Sequence, residues 1–249
     1  IWDISSPYNP TYIINSDNNS EFNFKFNLGS NKLYQVISYN DTYRPVELSN
    51  SNVENQNLKG TIFQNSQGEF QDIDYLIISP KLLISQAERL ANIHRSKNNL
   101  IVKVVDLETI YQEFSSGMQD IAGIRNFIKY VYDNASSNDK RIRYLCMLGD
   151  ASFDYKDRVN GNTNIVPAWL SINSFSLTSS FISDDFFGMM DENEGTMVNG
   201  DKLDIAVGRI LAQNPIQATE MVNKIESYYD SNAYGNWRNN FLLISDDVD

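Results

Sequence analysis

The sequence predicts an α/β protein: a mostly parallel sheet covered by helices over residues 73–249, preceded by a smaller all-β domain over residues 1–72. Three observations predict it. In the second part, short strands apolar on both faces alternate with helical segments, as in a parallel sheet buried between helix layers. The first part shows period-two alternation and no helical spacing. Its apolar runs are separated by turns rich in Asn, Ser and Gly.

In the first part, EFNFKFNLG sets Phe22, Phe24 and Phe26 on one side and Asn23, Lys25 and Asn27 on the other. That alternation is the mark of a half-buried strand. KLYQVISY and LKGTIFQN repeat it more loosely and are read as further strands. The pattern changes at residue 73. DYLIIS reads as a strand, SQAERLANIHRSKNN as a helix, LIVKVV as a second strand and DIAGIRNFIKYVYDNA as an amphipathic helix. In that helix Ile121, Ile124, Ile128, Val131, Tyr132 and Ala135 share one face. IRYLCML is a third strand, followed by a long polar, irregular stretch over 149–202. LDIAVGRI makes a fourth strand, and NPIQATEMVNKIESYYD a helix with Pro215 near its start. NNFLLIS reads as strand five.

Composition narrows the function classes. With 41% hydrophobic and 21% charged residues the chain is a folded protein, not a disordered one. A net charge of -12 with no basic cluster excludes nucleic acid as a partner and disfavours an anionic membrane surface. A single cysteine, Cys146, excludes an internal disulfide. The start at Ile1, with no leader pattern after it, and the end just past FLLIS predict a piece of a longer protein.

In open α/β sheets, chemistry gathers beyond the carboxyl ends of the strands. Those ends carry Asp106, the segment 149–157, and Asp246, Asp247 and Asp249. The only histidine and cysteine, His94 and Cys146, would need to approach within about 3 Å to act as a nucleophilic dyad. Cys146 lies within a strand expected to be buried, and His94 lies on the helix face of Leu83, Ala87, Leu90 and Ala91. Both read as packing residues, so no catalytic residue is assigned. Neither a zinc ligand set nor a glycine-rich phosphate cradle is present. The acidic loops offer a metal site instead. Asp150, Asp154, Asp184 and Asp185 form a candidate oxygen-rich set for a structural Ca2+, the alternative being solvated carboxylates partnered by Lys156, Arg158 and Arg209. Either way, Asp184 or Asp185 is expected to bond to backbone, since a partly buried carboxylate must find a cation or donors. From Asp191 the register of an EF-hand fails, with Thr196 at position six and Lys202 at position twelve.

Several segments together resemble the gingipain-like cysteine peptidases of family C25, and within it the surface sortases of type IX secretion in Bacteroidetes. They are DIAGIRNFIKYVYD, YLCMLGDASFDYKD, NIVPAW, SDDFFGMMD, LDIAVGRI and NWRNNFLLISDD, with IWDISSPYNP resembling the end of the preceding region. The resemblance implies a caspase-like fold and, for the intact protein, acyl transfer from a Cys thiolate assisted by a His. Both residues would lie in a GHG-type segment and a strand end after residue 249, so the piece itself is expected to be inactive. No cofactor is implied for the chemistry. The implied partners are secreted cargo with C-terminal sorting domains, other type IX components and anionic lipopolysaccharide, at the outer-membrane surface.

Two rival readings remain open at the level of sequence. One is a non-enzymatic surface scaffold or adhesion module. The other is a Mg2+-dependent phosphotransfer domain built on Asp246 with Asp150, which the absence of a DxDx[T/V] layout disfavours.

Overall fold

The structure is a computed structural model of the 249-residue chain. It describes all residues except 18, 27–28, 30, 42, 44–45, 47–54, 174, 198–199 and 245–249. The chain divides into two compact units, Ile1–Glu54 and Asn55–Asp249.

The first unit contains a small antiparallel sheet of β1 (Trp2–Asp3), β2 (Thr11–Tyr12) and β3 (Tyr34–Gln35), in the order β2-β1-β3. Asp3 ties it to the following loop, accepting from the Ser5 N–H at 3.0 Å and from Lys32 Nζ at 2.9 Å. These donors, Ser5 first, hold the Asp3 carboxyl down at about 2. Residues 21–26 are extended but unpaired, so the predicted phenylalanine strand does not form over the described residues. The rings nonetheless share a side, Phe24 lying 6.3 Å from Phe22 and 6.4 Å from Phe26. Tyr34 packs edge-on against Phe24 at 5.0 Å. Alternation set the direction of the side chains but could not supply a pairing partner. Asn27 lies outside the described residues.

The boundary between units falls at residue 54, not after 72. Residues 58–73 belong to the α/β unit because Ile62, Phe63 and Ile73 are buried in its core. LKGTIFQN is no strand: Leu58–Thr61 forms a short helix, α1, with the Asn57 side chain accepting from the Gly60 N–H. Backbone N–H groups of Leu58 and Lys59 are received by the Glu113 carboxylate.

The second unit is built on four parallel strands. They are β4 (Tyr75–Ser79), β5 (Val102–Asp106), β6 (Tyr144–Leu148) and β9 (Ala206–Ile210), in the order β5-β4-β6-β9. Helix α2 (Ile84–Asn98) ends where Asn99 turns left-handed (φ 54°) and returns its N–H to the His94 carbonyl. Helix α3 (Leu107–Phe114) is one that the sequence reading passed over, because it follows β5 with no intervening turn signal. Helix α4 (Ile121–Asp133) is capped by Asp120, whose carboxylate accepts from the Ala122 N–H at 2.8 Å. Helix α5 (Pro215–Tyr228) is capped by Asn214, which accepts from the N–H groups of Ile216 and Gln217 at 3.0 and 3.1 Å.

Two apolar layers sandwich the sheet. One joins Leu76, Ile78, Leu145 and Met147 to Ile110 of α3 and to Ile124, Phe127 and Ile128 of α4. The other joins Ile77, Cys146 and Leu148 to Ala87, Leu90 and Ala91 of α2 and to Ala218 and Val222 of α5. Burial on both faces explains the unbroken apolar runs of β4 and β6.

The stretch over 149–202 is not merely a polar loop. It contains a two-stranded antiparallel ribbon, β7 (Trp169–Leu170) with β8 (Ile182–Ser183), and buries Val166, Phe186, Phe187 and Met190 in the α4-side core. Two cations of α4 hold it there. Arg125 donates to the Met189 carbonyl from Nε and Nη2 (3.1 and 2.6 Å), and Lys129 donates to that of Met190 (2.7 Å). Predicted strand five is absent from the described residues. Phe241–Ile244 has no ladder partner and its four side chains are 84–91% exposed. An apolar run marks a segment able to extend, but a strand exists only where another edge receives its backbone.

Candidate functional site

At the carboxyl end of β6 the chain turns away at Gly149, whose φ of 146° suits only glycine. Any Cβ there would come within 2.7 Å of Val166 Cγ2. The Gly149 and Asp150 N–H groups still reach β9 and its continuation, donating to Ile210 and Ala212 carbonyls at 2.9 and 3.1 Å. The loop then closes on itself, since the Asp150 carbonyl accepts from the N–H groups of Ile165 and Val166 at 2.9 and 2.8 Å.

Arg209, on β9, gathers this edge. Its Nη1 donates to the carbonyls of Gly149 and Val166 at 2.8 and 2.7 Å, and Nη2 reaches that of Pro167 at 3.3 Å. Nε and Nη2 hold the Asp184 carboxylate at 2.8 and 2.6 Å. The planar guanidinium supplies five donors in a fixed fork, so one side chain binds three loop segments at once. The result is a rigid rim around the place where α/β sheets hold their ligands. Beside it lies a recess of about 300 Å3 lined by Gln119, Asp120, Ile121, Tyr155, Pro167, Ala168 and Leu170.

The four aspartates of the sequence-based metal set are placed separately. Asp154 is buried and its Oδ2 accepts from the N–H groups of Arg158 and Val159, both at 2.6 Å. Asp184 is held by Arg209, a side chain where a backbone donor was expected. Asp185 is exposed and Asp150 half-buried. Among the described residues, the acidic side chains that do meet are Asp191, Glu194 and Asp204, with one oxygen of each within 4.8 Å of the others. These oxygens serve the fold. Asp204 accepts from the Met190 N–H, and Glu194 from those of Asp191 and Lys202. Asp106 closes β5 with Oδ1 buried and without a hydrogen-bond partner among the described residues. Asp246, Asp247 and Asp249 lie outside the described residues, so the phosphotransfer layout has no described geometry.

Cys146 sits in mid-strand, 3% exposed, and burial pushes its thiol up to about 12. A nucleophile needs the opposite shift. Tyr75 is its polar neighbour, with a hydroxyl also pushed up by burial. His94 stacks edge-on against Tyr75 at 5.0 Å, while its Nδ1 meets Asn98 Oδ1 at 3.1 Å. Both residues line a second recess, of about 620 Å3, away from the Arg209 rim. Tyr75 stands between them, and neither faces the carboxyl edge.

The family model for peptidase family C25 matches residues 69–249. The chain belongs to peptidase family C25. The crystal structure of dimeric latent PorU from Porphyromonas gingivalis is similar to this C25 chain at 29% identity and a TM-score of 0.55. The match covers 67% of this chain and 16% of that one, so the chain spans about a sixth of that protein's length. A comparison with curated proteins finds no match. The parallel sheet between two helix layers agrees with the caspase-like architecture that the sequence resemblance implies. Among the described residues of this C25 chain, no helix is long and apolar enough to cross a membrane.

Proposed function

We propose that this C25 chain is the scaffold half of a cell-surface cysteine endopeptidase that acts as a sortase, removing C-terminal sorting domains from type IX secreted cargo. The observation that carries this reading is the C25 match over the whole α/β unit together with the likeness to PorU. In the reaction proposed for the intact protein, a Cys thiolate attacks the carbonyl preceding the sorting domain. A His protonates the departing amine, and an amine or water then resolves the thioester. The attacking thiol is proposed to lie elsewhere in the protein, because Cys146 is the sole cysteine of this chain and is buried and protonated. The role left to residues 55–249 is to present the Arg209 rim as one wall of the cleft. Anionic lipopolysaccharide as acceptor and other type IX components as neighbours complete the proposal.

In cells that make the protein, deleting the segment corresponding to this chain should leave cargo with its sorting domain attached and absent from the surface. Cargo that is still processed would overturn the sortase reading and favour an adhesion or scaffold role. Purified residues 1–249, incubated with cargo carrying its sorting domain, should show no cleavage. Cleavage abolished by Cys146→Ala would overturn the assignment of the nucleophile.

A further inference from the structure

We propose that Phe241–Ile244 is a strap that adds to the free edge of β9 and covers the recess beside it. The edge is real: β9 ends the sheet order, with β6 on one side and no described strand on the other. In a parallel ladder, alternate residues turn their N–H and C=O to opposite neighbours. Ala206 donates to the Arg143 carbonyl, and the Ile210 carbonyl accepts from Gly149, so 206, 208 and 210 face β6. Val207 and Arg209 therefore turn their backbone groups outward, where nothing described receives them.

The adjoining sheet face is open as well. Ala206 and Gly208 form a floor of small residues, and a Cβ on Gly208 would meet nothing within 4 Å. Tyr75, His94, Tyr144 and Tyr229 wall this recess of about 620 Å3. It is apolar and aromatic, made for apolar side chains. The same chain carries four such side chains in a row, nearly fully exposed, at the end of a link from α5. Extended alongside β9, Phe241–Ile244 would send alternate side chains to the two faces of the sheet, one pair of them over Ala206 and Gly208. The link over 229–240 is long enough for either strand direction, and the proposal holds for both.

Amide exchange in residues 1–249, read by NMR, tests it. Val207 and Arg209 should exchange at least about tenfold more slowly than in a Leu242→Pro, Leu243→Pro double variant, which removes whichever N–H faces β9. Gly208, bonded to β6, should exchange alike in both, which shows that the sheet is intact. Equally fast exchange of Val207 and Arg209 in the two proteins would overturn the strap. So would protection that persists in the variant: a dependence on protein concentration would assign the edge to a second copy, and no such dependence to another part of the chain.

Discussion

Arg209 grips both carboxylate oxygens of Asp184, at 2.8 Å from Nε and 2.6 Å from Nη2, across 25 residues of chain. The guanidinium is 9% exposed and the carboxylate 23%, so water screens the pair only on the aspartate side. Three loop carbonyls take up the remaining donors. A strand residue thus fixes the β6 exit, the segment at Val166–Pro167 and the start of the Phe186–Phe187 turn in a single arrangement.

Removing one partner should therefore cost more than a surface ion pair does. Arg209→Met strands the carboxylate and three carbonyls, and a loss of about 2–4 kcal/mol in urea unfolding is expected. Arg209→Lys keeps the charge but not the fork, and should recover less than half of that loss. A double-mutant cycle with Asp184→Asn should give a coupling above about 1 kcal/mol. A coupling near zero would mean that the pair is ornamental.

Cys146 yields a prediction in pH. Its thiol rises from an ordinary 9.0 to about 12 in the folded protein because burial disfavours the thiolate. The folded state thus keeps a proton that the unfolded state releases. The stabilising contribution is complete below pH 9 and is lost as pH climbs toward 12. Tyr75, also raised by burial, acts in the same direction. Urea midpoints should fall across that window, with a shallower fall in Cys146→Ala and the shallowest in Cys146→Ala, Tyr75→Phe. At pH 8 a thiol reagent should modify the native protein only as fast as it opens. Rapid modification would show the thiol to be accessible.

Much of the α/β unit could be read from the sequence because its signals are local. β4 and β6 are runs of Leu, Ile, Cys and Met buried on both faces, and α5 begins with Asn214 and Pro215 in their favoured places. The errors arose where the deciding partner is remote. LKGTIFQN reads as a strand until Glu113 is seen to receive the first N–H groups of α1. The metal set failed to meet for the same reason. Composition shows how many carboxylates a loop has, but not that Arg209 takes one and two backbone amides take another. Arg209 itself was visible in LDIAVGRI as a cation on a strand otherwise apolar, and was already one of three candidate partners.

Gly149 is tested by adding one carbon. Gly149→Ala must accept a left-handed φ of 146° and set its Cβ against the side chains of Val166 and Ile165, at 2.7 and 3.0 Å. Val166 is wholly buried and cannot swing aside. A loss of about 2–3 kcal/mol is expected, seen as a Tm lower by several degrees. Gly161→Ala, whose Cβ would meet nothing within 4 Å, carries a similar backbone penalty without the clash and should cost clearly less. Equal losses for the two would remove the contact with Val166 from the explanation.

The carboxylates make the last prediction. Asp154 Oδ2 accepts two N–H groups at 2.6 Å inside a loop where Asp157 stands at a left-handed φ of 52°. Asp154→Ala leaves those donors unpaired in a largely buried setting and should free the 154–159 loop, raising amide exchange at Arg158 and Val159. A global loss of no more than about 1–2 kcal/mol is expected, since the loop closes separately through Asp150. Because Asp154 and Asp184 already have partners, calcium has no shared seat at Asp150, Asp154, Asp184 and Asp185. The Tm of residues 1–249 in excess Ca2+ should match that in chelator. A rise of several degrees with Ca2+, removed by Asp150→Asn or Asp185→Asn, would restore that metal site. A rise insensitive to both but removed by Asp191→Asn would place the ion with Glu194 and Asp204 instead.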